Sequence, residues 1–175
     1  EAGTYMAAAV ATGGDVTVRN VIPKHLESIT AKLQEMGAEI EEFDEEIRVC
    51  ASGRLNHCNV KTMPHPGFPT DMQSQLCAIL SMANGISMVR ETIFEGRFQV
   101  IPELRKLGAS IETTNDVLLI EGKAKLQGND VEAKELRGSA ALVIAGLAAE
   151  GITQIDTDRY LRRGYQDITG DLEQL

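Results

Sequence analysis

Leu33-Gln34-Glu35-Met36-Gly37-Ala38-Glu39-Ile40-Glu41 returns as Leu104-Arg105-Lys106-Leu107-Gly108-Ala109-Ser110-Ile111-Glu112 and begins again at Leu172. The copies lie 71 and then 68 residues apart. Like segments at near-constant spacing mark a chain built from repeated structural units, so one unit decides the fold. Leu26, Ile29, Leu33 and Met36 share one face at helical spacing, which predicts an amphipathic helix over His25 to Met36. Its counterparts run from Phe98 to Leu107 and from about Gly164 to Leu175. Gly37 and Gly108 stop the first two, as glycine commonly does at helix ends. Beyond each glycine a hairpin is predicted. Glu39-Ile40-Glu41 pairs with Ile47-Arg48-Val49, and Ser110-Ile111-Glu112 pairs with Val117 to Ile120. The tips Asp44-Glu45-Glu46 and Thr114-Asn115-Asp116 are polar turns.

Upstream of each amphipathic helix the pattern also repeats. Gly14 to Val18, Gly85 to Val89 and Gly151 to Ile155 read as strands rich in β-branched residues. Each follows a helix of small and aliphatic residues: Thr4 to Ala11, Asp71 to Met82, and Gly138 to Ala149. Helices without a polar face are buried on most sides. The unit is β-α-β-α-β-β-like, and three copies would pack about a pseudo-threefold axis. The expected organisation is one domain over 1–175, of α+β class with α/β-type repeats. The repeats cover about 1–65, 66–135 and 136–175, the third lacking its last hairpin.

With 175 residues, 43% of them hydrophobic and 4% aromatic, the chain can bury one aliphatic core. Its net charge of −9 argues against nucleic acid or an anionic membrane surface as a general partner. No apolar run is long enough to span a membrane, and no leader segment is evident. Cys50, Cys58 and Cys77 form no Cys-x-x-Cys pair, so neither a zinc site nor a disulfide framework is indicated. Cys50 and Cys77 read as small buried hydrophobes. A reduced, cytosolic protein is expected. The chain opens on Glu1, which suggests a fragment.

Between the first and second units lies Pro64-His65-Pro66-Gly67-Phe68-Pro69-Thr70-Asp71-Met72-Gln73. Three prolines in six residues forbid a helix and stiffen the path, and Gly67 lets the chain turn. The loop delivers Asp71 to the mouth of the helix that follows. A carboxylate there can cap the helix, serve in proton transfer, or do both. Arg137 stands at the start of the third small-residue helix, where the dipole is already positive. That unfavourable placement hints at an anionic ligand. Arg97, after Glu95-Gly96, is either a solvated arginine or an anion ligand. None of His25, His57 and His65 is marked as catalytic by its setting.

The proline string resembles a motif of the UDP-N-acetylglucosamine enolpyruvyl transferases, within the EPSP synthase-like family. Arg90-Glu91-Thr92-Ile93-Phe94-Glu95-Gly96-Arg97-Phe98 looks like that family's second signature. Glu135-Leu136-Arg137 and Arg163-Gly164-Tyr165 look like its third and fourth. The motifs keep the family's order over nearly the whole chain.

The resemblance implies an inside-out α/β barrel domain with three-fold pseudo-symmetry, buried helices and outer mixed sheets. It implies transfer of the enolpyruvyl group of phosphoenolpyruvate to the 3-hydroxyl of UDP-N-acetylglucosamine, an early step of peptidoglycan precursor synthesis in the cytoplasm. Asp71 would be the catalytic base and a sugar ligand. Ile93 and Phe94 would meet the nucleotide sugar. Arg97, Arg137 and Arg163 would meet phosphoenolpyruvate. Glu135, where the family usually has aspartate, would bind or transfer a proton. Arg159 and Arg162 would be surface charges. No metal or redox cofactor is implied. The family's cysteine and phosphate-binding lysine belong to a second domain, so the chain alone is expected to be inactive and to need that partner. The alternatives are the sister enzyme acting on shikimate 3-phosphate and a non-catalytic binding domain.

Overall fold

The computed structural model describes residues 1–156 and 160–174. The chain folds around three helices, α1 (Ala2–Thr12), α3 (Gln73–Leu80) and α5 (Leu136–Ala148), which pack on one another. All eight residues of α3 are buried, as are Gly138 to Leu142, Ile144 and Ala145 of α5. The lack of a polar face in these segments has this consequence: they can only lie inside.

Each inner helix carries a sheet on its outer side. α1 packs on β1 (Asp15–Arg19) and β3 (Glu46–Cys50), which with β2 (Glu39–Glu42) form an antiparallel sheet ordered β1-β3-β2. α3 packs on β5 (Ile86–Arg90) and β7 (Val117–Glu121) of the sheet β4-β5-β7-β6, where β4 is Val60–Lys61 and β6 is Ser110–Thr114. β4 runs parallel to β5 and the other pairs are antiparallel. α5 packs on β9 (Gln154–Asp156), which pairs in parallel with β8 (Asp130–Glu132). Helices inside and mixed sheets outside are the expected architecture.

The two predicted hairpins form, with pairing that extends to Cys50 and Glu121. Ile40 faces Val49, and Ile111 faces Ile120. The hairpin tip near Asp44 is shorter than expected, because Glu46 already belongs to β3 and faces Arg19. The amphipathic helices are also shorter: α2 is Glu27–Glu35, α4 is Ile101–Lys106 and α6 is Ile168–Glu173. A 3-10 turn over Pro23–His25 takes up the expected first turn of α2. The expected end of α6, Leu175, lies outside the described residues. Gly37 and Gly108 follow α2 and α4 with φ of 102° and 91°, values that glycine alone adopts without strain. Ile29, Leu33 and Met36 are buried as their spacing required, and Leu104 and Leu107 occupy the matching places in the second unit.

The cysteines are free, and Cys58 and Cys77 are buried. Burial pushes the Cys58 thiol up to about 11. Cys50 ends β3 half-buried, a correction to the expectation that it lies in the core.

Candidate active site

The proline loop holds its shape by close approach. Gly67 Nα–H donates to the Pro64 carbonyl at 2.8 Å. A Cβ on Gly67 would lie 2.4 Å from the Met63 Cβ, so the loop needs glycine for space. Met63 N–H donates to the Phe68 carbonyl, and Phe68 is buried beneath the loop. The loop ends in a 3-10 turn, Thr70–Met72, and α3 starts after it at Gln73.

This corrects the cap reading of Asp71. Neither the turn nor α3 has a side-chain cap bond, and the first N–H groups go to Pro69 and Thr70 carbonyls through 3-10 bonds. The Asp71 carboxylate turns instead to two guanidinium groups. Arg137 Nε donates to Oδ1 at 2.6 Å, and Arg97 Nη1 donates to the same oxygen at 3.3 Å. Burial pushes the carboxyl pKa up, but Arg137 and then Arg97 outweigh it and hold Asp71 below the usual carboxylate range.

The arginines are less exposed than the carboxylate they hold. The Arg97 side chain is 16% exposed and that of Arg137 32%, against 65% for Asp71. Of the two readings of Arg97, a solvated arginine is therefore excluded. Its guanidinium lies over the Phe94 ring at 4.3 Å, a cation–π contact that fixes the plane of the fork. Arg137 sits in the first turn of α5, and Glu135 Oε2 stands 3.9 Å from it. Glu135 Oε1 is buried without a hydrogen-bond partner among the described residues.

Ile93, Phe94 and Arg97 line a cavity of about 590 Å³, whose rim includes the ion pair Arg90–Asp116. Arg97 belongs to both the cavity wall and the Asp71 cluster, so the two are one site. Six of the seven residues singled out from the sequence thus come together: Asp71, Ile93, Phe94, Arg97, Glu135 and Arg137. The seventh, Arg163, is exposed in a 3-10 turn over Leu161–Arg163, and among the described residues it makes none of the cluster's ion pairs. Arg162 is exposed as expected, while Arg159 lies outside the described residues.

One site residue carried no sequence expectation. Glu91 is 4% exposed and its carboxylate accepts from the Thr62 and Thr70 hydroxyls and from the Ile93 and Phe94 N–H groups. The sequence shows a carboxylate after a strand but gives no sign of donors contributed from 29 and 21 residues away.

Buried helices within outward sheets are also the fold of solved enolpyruvyl transferases. The enolpyruvyl transferase NikO from Streptomyces tendae superimposes with a TM-score of 0.89 at 27% identity, over 99% of this chain and 42% of that one. EPSP synthase from Acinetobacter baumannii shares the fold with a TM-score of 0.76 at 21% identity, over 99% of this chain and 44% of its own.

Residues 1–172 match the family model EPSP synthase (3-phosphoshikimate 1-carboxyvinyltransferase), and the chain belongs to that family. Within the family it is similar to proteins named UDP-N-acetylglucosamine 1-carboxyvinyltransferase. One, from Desulfofundulus thermocisternus, is 52% identical over all of this chain and 72% of its own length. Another, from Caldanaerobacter subterraneus subsp. tengcongensis, is 52% identical, and the chain spans 42% of its length. No described helix is long and apolar enough to cross a membrane.

Proposed function

We propose that this chain is one domain of an enzyme that transfers the enolpyruvyl group of phosphoenolpyruvate to the 3-hydroxyl of UDP-N-acetylglucosamine, releasing phosphate. The observation that carries the reading is the convergence of Arg97 and Arg137 on one carboxylate oxygen at the cavity edge. Two half-buried guanidinium groups make a receptor for a planar or tetrahedral anion. In the chain by itself that receptor holds Asp71.

In the reaction, the sugar oxygen bonds to C2 of phosphoenolpyruvate while C3 gains a proton. The C2–O bond to phosphate then breaks and C3 loses a proton, restoring the alkene. The arginines stabilise the substrate carboxylate and phosphate as charge moves. Asp71 binds the sugar 3-hydroxyl and takes its proton. An Asp71 paired with two arginines is a poor base, so substrate anions must first draw the arginines away. Ile93 and Phe94 wall the nucleotide-sugar pocket, Glu135 offers a second carboxyl, and Arg163 reaches the phosphoenolpyruvate only when domains close.

The other half of the enzyme, as partner domain, supplies the family's cysteine and lysine. The three-repeat division of residues 1–175 and a cytoplasmic setting belong to this reading, which calls for no metal or redox cofactor. The 52% identity to relatives named for the nucleotide sugar favours it over the sister reaction on shikimate 3-phosphate. Titration calorimetry of the intact protein with each acceptor tests the choice. Saturable binding of UDP-N-acetylglucosamine is expected. Binding of shikimate 3-phosphate alone would overturn the assignment.

A further inference from the structure

We infer that Glu91 is a positioning residue that sets Asp71 and Arg97 in register across the site, an inference that rests on the transferase reading only for its catalytic consequence. The carboxylate sits where three segments meet. Oε1 accepts from Thr62 Oγ1 at 2.8 Å, from Ile93 N at 2.8 Å and from Phe94 N at 3.2 Å. Oε2 accepts from Thr70 Oγ1 at 2.8 Å.

Thr70 is the residue before Asp71, and Phe94 carries the ring on which the Arg97 guanidinium lies. One side chain therefore ties the end of the proline loop to the arginine-bearing loop. Thr62 extends the tie: its Oγ1 accepts from Thr92 N at 2.9 Å and its N–H donates to the Arg90 carbonyl at 2.9 Å. Among the described residues every partner of the Glu91 carboxylate is neutral, a hydroxyl or a backbone amide. Such donors impose directions as well as distances, as an ion pair with a long flexible cation does not. A buried carboxylate costs free energy unless its acceptor sites are filled, so the four donors and the acid are fixed together.

The test uses Thr70→Val, which keeps the side-chain shape and removes only the bond nearest Asp71, with Thr70→Ser as the conservative rescue. Glu91→Ala is a second variant that removes all four bonds. Carbon-13 NMR titration of the 175-residue chain reads the Asp71 carboxyl, and steady-state kinetics of the intact protein read the reaction. Thr70→Val is expected to move Asp71 back toward the ordinary carboxylate range as its pairing with Arg97 and Arg137 loosens. It is expected to lower kcat by ~10-fold or more with a smaller change in KM, because a misplacement of about 1 Å costs up to about a hundredfold. Thr70→Ser should restore both. A merely structural role would lower the melting temperature and leave the Asp71 titration unmoved. An unmoved titration in Thr70→Val and in any folded Glu91→Ala overturns the inference. If Thr70→Val shifts the Asp71 titration in the chain but the intact protein releases no phosphate from phosphoenolpyruvate with UDP-N-acetylglucosamine, the transferase reading fails and the positioning role stands.

Discussion

Arg137 Nε and Asp71 Oδ1 are bonded at 2.6 Å, although 66 residues separate them in the chain. Two inner elements meet at that bond: the turn that leads into α3 and the first turn of α5. Because Arg97 binds the same oxygen, the carboxylate occupies the arginines that an incoming anion would need.

Replacing Asp71 by asparagine removes the charge and leaves the shape. Phosphoenolpyruvate should then bind the intact protein more tightly, since the arginines no longer face an internal competitor. Turnover should fall by at least about a hundredfold, the scale of a lost general base. Calorimetry and phosphate release check the two halves separately. Unchanged kcat in Asp71→Asn would remove Asp71 as the base.

The stability of the Asp71 variants should barely change. The carboxylate is largely solvated and makes no cap bond, and exposed ion pairs contribute about 0–1 kcal/mol. Asp71→Ala should therefore shift the free energy of unfolding by no more than about 1 kcal/mol. A loss of ~2 kcal/mol in urea denaturation would restore a structural role.

The repeat was legible in the sequence because it is written in two independent ways, the apolar spacing of Leu26 to Met36 and the glycine that follows it. The inner helices were legible because α1, α3 and α5 have no polar face to expose. The start of α3 was not. A 3-10 turn and a capped helix need the same residues at Thr70 and Asp71, and only the position of Arg97 and Arg137 decides between them. The arginines could be named from the family motifs, but their convergence on Asp71 is a tertiary fact. Glu91 was harder still, since a buried acid and a solvated one look alike until their donors are known.

Leu104 and Leu33 hold matching places in the two complete units, and both are almost fully buried. Leu104→Ala and Leu33→Ala should each cost about 2–5 kcal/mol, the range for deleting a buried leucine side chain. Urea midpoints measure this. A cost under ~1 kcal/mol at either position would mean that the unit does not depend on that contact.

Glu103 supplies the pH test. It is buried on α4, accepts from Lys106 Nζ at 2.7 Å and takes the Glu132 N–H at 2.9 Å. Burial raises its pKa, but Lys106 and the Glu132 amide outweigh this and hold it below its ordinary value. A depressed folded-state pKa means that the contribution is complete above the ordinary glutamate range, near 4.3, and is lost as pH falls through the folded value. Melting temperature should fall below about pH 4, and Glu103→Gln should fall less steeply over that interval. Parallel curves for the two proteins would exclude Glu103 from the acid transition.

We propose that this chain forms the arginine-and-aspartate half of an enolpyruvyl transferase site. Phosphate release in the presence of phosphoenolpyruvate and UDP-N-acetylglucosamine tests it most directly. The measurement compares the 175-residue chain alone, the same chain with the complementary domain of a full-length relative added, and that mixture carrying Arg97→Ala. No release above background is expected from the chain alone, release that requires both substrates is expected in the mixture, and Arg97→Ala should abolish it. Release by the chain alone, or undiminished release with Arg97→Ala, would contradict it.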